Sequence, residues 1–162
     1  MLKLSIMDKR NHIVKYGLYM FLGIAGLFLI MKAFGLEHLT VLRFLNGFIV
    51  VFFSMRMAKV ITQKKDGLDY LDGLFGVLLA NIFALVLSVV GLMLYIGTIG
   101  SELVVSLQES IWFAGDLTTT RIVGVIFMEG AAMAMIVSFA VMQYYKDRGF
   151  SKAKKEKTLR KV

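Results

Sequence analysis

The chain has 162 residues, of which 58% are hydrophobic, and it carries a net charge of +8 with no cysteine. An ordinary soluble domain is about 45–50% apolar, so this composition predicts an integral membrane protein. The lack of cysteine excludes disulfides, thiolate nucleophiles and cysteine-ligated metal centres. Four spans of about 20 residues would use about half of the chain, so we expect one membrane domain over residues 1–162.

Four long apolar stretches predict an all-α, integral membrane four-helix bundle. The predicted spans cover residues 16–34, 39–61, 74–99 and 122–145. The N-terminal 15 residues are basic, and we interpret them as an arm ahead of an uncleaved first span. A secretory signal peptide would have a shorter apolar run and no lysine just before its cleavage site.

Basic residues are concentrated on one side of the predicted bundle. Of the 19 Lys and Arg residues, only Lys32, Arg43 and Arg121 fall on the other side. The positive-inside rule therefore predicts that both termini are cytoplasmic. The tail, residues 146–162, is predicted to be a mobile segment that contacts anionic phospholipids. No aromatic residue follows Phe150, which disfavours stacking on nucleic-acid bases, so no nucleic-acid partner is expected.

Residues 102–113, on the outer side between spans 3 and 4, have a different character. Leu103, Leu107 and Ile111 recur every four residues, with Trp112 alongside and polar residues between them. This pattern predicts an amphipathic helix in the membrane interface, with the indole at headgroup level. The same apolar face could instead dock on another protein.

Three aspartates precede span 3, at Asp66, Asp69 and Asp72. Carboxylates at this spacing can share a helical face and bind a divalent cation or a lipid headgroup. They also complement the positive N-terminal end of a helix. We favour this second interpretation and predict no metal site.

Span 4 contains Glu129, and ionisable residues inside a membrane are rare and by default functional. Glu129 follows Arg121 by eight residues, which places it about 12 Å along a helix and in the outer half of the bilayer. Arg43 is its best candidate partner and Lys32 is the alternative. Without a cation nearby, desolvation would favour the protonated acid.

Small residues adjoin Glu129 in the sequence. Gly130, Ala134 and Ser138 repeat every four residues, which is typical of a surface on which a second helix packs closely. We therefore expect Glu129 to face protein more than lipid. Asn81 in span 3 is predicted to form hydrogen bonds with a neighbouring helix.

The residue inventory argues against an enzyme. The two histidines, His12 and His38, fall on opposite sides of the membrane in this topology, so they cannot share a metal or haem. No nucleophile elbow, phosphate loop or dinucleotide fingerprint is present. We predict no catalytic residues and no cofactor.

A basic arm and two close spans are followed by a basic linker that leads into Gly67, Tyr70, Gly73 and Gly76, and then by a long third span, the outer amphipathic stretch and a final span with a lysine-rich end. This order of features resembles an uncharacterised family of small four-helix inner-membrane proteins from Bacteroidota, a domain of unknown function, and the resemblance covers nearly the whole chain. It implies a location in the bacterial inner membrane and no established activity.

Two functions from different classes are compatible with these features. The first is a small accessory or structural subunit of a larger membrane complex, which binds other integral membrane subunits through helix packing and the outer amphipathic helix. The second is a small oligomeric transporter or channel in which Glu129 takes up and releases a proton. Homo-oligomers are compatible with both functions.

Overall fold

The computed structural model describes residues 2–35, 43–63, 70–99 and 118–159. These residues form the helices α1 (Leu2–Ala33), α2 (Arg43–Gln63), α3 (Tyr70–Ile99) and α4 (Thr119–Leu159). Each helix contains a stretch that is long and apolar enough to cross a membrane, namely Arg10–Ala33, Leu45–Thr62, Tyr70–Thr98 and Thr120–Lys146. The chain thus fits a multi-pass membrane protein, and the prediction of an all-α fold with four spans is confirmed.

The helices alternate in direction along the chain. Ser54 of α2 lies opposite Asn81 of α3, which lies opposite Ser138 of α4. Helix α1 runs parallel to α3, and Phe28 stacks edge-on against Tyr95 near one end of both helices. Helices α1 and α4 each pack mainly on α2 and α3. One end of the bundle therefore holds the end of α1, the start of α2, the end of α3 and the start of α4; we call it the Lys32 end.

A continuous buried core joins α2, α3 and α4 in the half of the bundle remote from the Lys32 end. It consists of Met57, Ala58, Ile61, Val77, Ala80, Val137, Val141 and Met142. Alanine and valine predominate, and their short side chains allow the backbones to approach closely. Close packing of this kind drives association of helices in a bilayer, where lipid tails are as apolar as leucine.

Helices α1 and α4 extend well beyond the predicted spans. Helix α1 begins at Leu2, so the basic arm continues the first span as a helix, and α4 continues the last span to Leu159. We expected a mobile tail, whereas its described residues are helical. The chain has no proline, and the tail is rich in lysine, alanine and glutamate, which favour helix.

Helix α1 ends in a turn close to the predicted boundary. The backbone N–H of Gly35 donates to the carbonyl oxygen of Lys32 at 3.0 Å, and Gly35 has a φ of 65°. Glycine adopts this left-handed conformation without the steric cost that a Cβ would bring, so it is suited to the position after a helix.

Some sequence predictions lie outside the described residues. These are the interfacial helix over 102–113, with Leu103, Leu107, Ile111 and Trp112, and the carboxylates of Asp66 and Asp69. Asp72 is described and lies in the first turn of α3, where a carboxylate complements the helix dipole. Among the described residues, no group of three or more His, Asp or Glu could hold a metal ion.

Candidate functional site

A chain of polar side chains crosses the middle of the bundle. The Ser54 hydroxyl donates to Asn81 Oδ1 at 2.9 Å, and Asn81 Nδ2 donates to Ser138 Oγ at 2.8 Å. The Ser138 hydroxyl in turn donates to the carbonyl oxygen of Ala134 at 2.6 Å. All three polar side chains are at most 2% exposed. This polar chain links α2, α3 and α4, and Asn81 forms the interhelical hydrogen bonds that the sequence predicts.

The small residues of α4 pack inside the bundle. Ala134 and Ser138 are buried, and Gly130 lies against the side chain of Leu85 of α3. A Cβ at Gly130 would collide with Leu85 Cδ1. The stripe that the sequence indicates as a helix-packing surface therefore serves contacts within this chain.

Glu129 does not follow the small stripe into the bundle. Successive residues are rotated by about 100° around a helix, and Glu129 lies on the exposed side of α4. Helices of the same chain do not bury this side chain, contrary to what its proximity to Gly130 in the sequence implied. Among the described residues, Glu129 thus lies on the outward-facing side of the bundle.

The exposed side of α4 forms a continuous strip around Glu129, which we call the α4 outer strip. Its members recur every three or four residues and are all exposed: Val125, Glu129, Ala132, Ile136, Phe139 and Ala140. Met128 and Met135 flank the strip, and a Cβ at the nearby Gly124 would meet no atom within 4 Å. The strip therefore combines one carboxyl group and two alanines with larger apolar side chains.

The exposed side of α3 differs in composition from the α4 outer strip at the same depth in the bundle. Its large exposed residues are apolar and uncharged: Phe75, Leu79, Ile82, Val86, Val90, Met93 and Leu94. Such a surface matches acyl chains in shape and polarity. Small residues and a carboxyl group, in contrast, favour contact with another helix. The α4 outer strip is thus the better candidate for a protein contact.

The described contact of Lys32 is with Tyr95 of α3, and the alternative pairing of Lys32 with Glu129 stays a prediction. The Lys32 ammonium donates a hydrogen bond to the Tyr95 hydroxyl and lies 4.6 Å from the centroid of the Tyr95 ring. The backbone of Arg43 starts α2 at the Lys32 end, as predicted, while its side chain lies outside the described residues. The pairing of Glu129 with Arg43 therefore stays a prediction.

A cavity of about 350 Å³ opens between the helices beside Lys32 and Tyr95. Its walls come mainly from α1 and α3, with one residue each from α2 and α4, namely Asn46 and Ile126. The Asn46 Oδ1 atom is buried and has no hydrogen-bond partner among the described residues. Neither this cavity nor the contact between Lys32 and Tyr95 is predictable from local sequence, because the two residues lie 63 positions apart in the chain.

Comparison with family models, with curated proteins and with solved structures finds no significant match to this chain. The resemblance to the small four-helix proteins of Bacteroidota therefore stays a prediction. Functional arguments for this protein depend on its own residues, and the α4 outer strip and the cavity are the features that carry them.

Proposed function

We propose that the protein is a small accessory subunit of a larger complex in the bacterial inner membrane, with both termini in the cytoplasm. The observation that carries this proposal is the exposure of Glu129 in the middle of the α4 outer strip. Small side chains let a second helix approach α4 closely, and a carboxyl group inside a membrane favours contact with protein over contact with lipid.

The chemistry of the α4 outer strip defines the partner. Ala132 and Ala140 allow a second helix to approach α4 closely, and Met128 and Met135 can adapt to its side chains. The contacting residue opposite Glu129 should be a hydrogen-bond donor or a cation. We therefore expect an integral membrane helix that carries an arginine, lysine, asparagine or hydroxyl group at that depth.

A proton-coupled transporter that uses Glu129 receives less support. Transport needs the carboxyl group to lie on a path through the protein. The described residues that line the cavity include Ile126 of α4, one turn away, but not Glu129. The outward position of Glu129 favours assembly over coupling, so we do not propose transport.

Loss of the carboxylate should weaken assembly. We expect Glu129→Gln to lower recovery of the partner about tenfold or more after purification from the native membrane in mild detergent, because a hydrogen bond to a charged group contributes about 1.5–3 kcal/mol. Quantitative mass spectrometry of the purified complex measures the recovery. Asp72→Asn is the matched control, because it makes the same change at an exposed carboxylate at the edge of the bundle.

Two results would contradict the subunit proposal. One is a wild-type protein that consistently emerges as a monomer without other membrane proteins. The other is equal recovery of the partner with Glu129→Gln and with the wild type. A second copy of this chain as the only partner would indicate a homo-oligomer instead of an accessory subunit.

A further inference from the structure

The cavity beside Tyr95 has the form of a site for an amphiphile. Its floor and walls are apolar and include Phe21, Ile24, Phe28, Val89 and Leu92. Its volume of about 350 Å³ lies within the range of small-molecule sites, about 300–1,000 Å³. Leu29 lines the cavity and is 61% exposed, so the cavity is continuous with the outer surface of the bundle. An acyl chain can therefore enter it directly from the bilayer.

Polar groups lie at the end of the cavity that faces the Lys32 end of the bundle: Asn46 and Tyr95 line the cavity, and Lys32 lies behind Tyr95 without lining it. The half-buried Lys32 ammonium is bonded to the neutral hydroxyl of Tyr95, so its described contact does not neutralise the positive charge. The Asn46 side chain presents a buried amide oxygen without a hydrogen-bond partner in the described structure. A buried polar atom without a partner destabilises the protein, and a ligand that forms a hydrogen bond with it would remove this cost.

The polar and apolar parts are ordered along the membrane normal. Lys32 lies in the last turn of α1, at the edge of an apolar span, where a long cation reaches the phosphate level. Phe21 lies 11 residues earlier, which corresponds to a depth of about 16 Å along the helix. Gly23 of α1 lies against Ile49 of α2, so Asn46 lies between the levels of Phe21 and Lys32. The order is cation, then amide, then an apolar floor.

We propose that this cavity binds one anionic glycerophospholipid, with an acyl chain in the apolar part and the phosphate at Lys32. The Asn46 amide accepts a hydrogen bond from a headgroup hydroxyl, or donates one to an ester carbonyl after rotation that exchanges its oxygen and nitrogen. The site lies at the opposite end of the bundle from the basic tail, so it is distinct from any contact between the tail and lipid. It is also independent of the subunit proposal, because the α4 outer strip contributes no residue to it.

Removal of the cation should reduce the preference for an anionic headgroup. Purified protein is titrated with phosphatidylglycerol or with phosphatidylcholine of the same chain length, and native mass spectrometry counts the bound lipids. The wild type should retain one phosphatidylglycerol in preference to phosphatidylcholine. Lys32→Gln should lower that preference about fivefold, equivalent to about 1 kcal/mol, whereas Lys59→Gln, a matched change at an exposed lysine of α2, should leave it unchanged.

Filling the cavity should reduce retention of both lipids. Ala25→Leu introduces a larger side chain at a cavity wall, and Val14→Phe enlarges an exposed side chain of α1 that does not line the cavity. Ser88→Leu is a second filling variant, in case Ala25→Leu does not fold as judged by thermal unfolding. Only the filling variants should lose bound lipid.

A competition experiment with inorganic phosphate distinguishes a lipid site from a site for a simple anion. Inorganic phosphate at the lipid concentration should not displace phosphatidylglycerol, because it cannot occupy the apolar part of the cavity. Displacement by phosphate would overturn the proposal in favour of an anion site. Equal losses with Lys32→Gln and Lys59→Gln, or undiminished retention with both filling variants, would show that lipid binds elsewhere on the bundle.

Discussion

Asn81→Ala should destabilise the bundle by about 2–3 kcal/mol. Asn81 accepts a hydrogen bond from Ser54 of α2 and donates one to Ser138 of α4, so its truncation breaks both of these interhelical hydrogen bonds. Interhelical hydrogen bonds in membranes contribute about 0.6 kcal/mol on average and up to about 1.7 kcal/mol. The truncation also leaves a cavity in a fully buried site, which adds to the loss.

Ser88→Ala on the same helix provides the control for Asn81. The Ser88 hydroxyl donates to the carbonyl oxygen of Ala84 within α3, so its removal breaks no interhelical link. We expect a change of less than about 0.5 kcal/mol, as for other substitutions away from key contacts. Both changes in the free energy of unfolding are measured by equilibrium unfolding of the purified protein at increasing concentrations of a denaturing detergent. Equal stability of the two variants would mean that the polar chain does not hold α2, α3 and α4 together.

Gly17→Ala should destabilise the protein by about 1–3 kcal/mol, the usual cost of overpacking a tight interface. Gly17 is buried where α1 crosses α3. A Cβ there would lie 2.7 Å from Phe83 Cδ1 and 3.0 Å from the backbone carbonyl oxygen of Ala80. The Phe83 ring can shift, but the Ala80 oxygen belongs to the backbone of α3 and cannot move alone. The two helices must therefore separate.

Gly26→Ala is the matched substitution on α1. A Cβ at Gly26 would meet no atom within 4 Å, so the change is free of collisions. Alanine is favoured over glycine inside a helix by up to about 1 kcal/mol, and Gly26→Ala should be neutral or stabilising. Unfolding measurements on the two variants should therefore give shifts of opposite sign or of clearly different size. Equal shifts would contradict the close crossing of α1 and α3 at Gly17.

The spans could be predicted because they depend on local sequence. Length and hydropathy identify a transmembrane helix without knowledge of its neighbours. Helix propensity, in contrast, determines how far the helices continue at the two termini. The absence of proline and the helix-favouring composition of the basic segments were visible in the sequence, and they explain why α1 and α4 extend to Leu2 and Leu159.

The candidate site could be predicted less well from the sequence, because it depends on the register and the rotation of each helix against its neighbours. Asn81 was identified as a hydrogen-bonding residue from its type and depth, but its two partners depend on the register of α2 and α4 against α3. Glu129 is next to Gly130 in the sequence, but one residue corresponds to a rotation of about 100° around the helix. Gly130 therefore packs against α3, whereas Glu129 is exposed. Lys32 and Tyr95 meet only because α1 and α3 run parallel.

Photocrosslinking in native membranes tests the proposed role of the α4 outer strip most directly. A photoreactive amino acid is placed at Ala132 or Ile136 in the strip, and at Leu79 or Ile82 on the exposed side of α3. We predict an adduct with one other membrane protein from the α4 positions, its loss with Glu129→Gln, and no such adduct from α3. Lipid adducts alone at all four positions would contradict the assignment of this surface to a partner subunit.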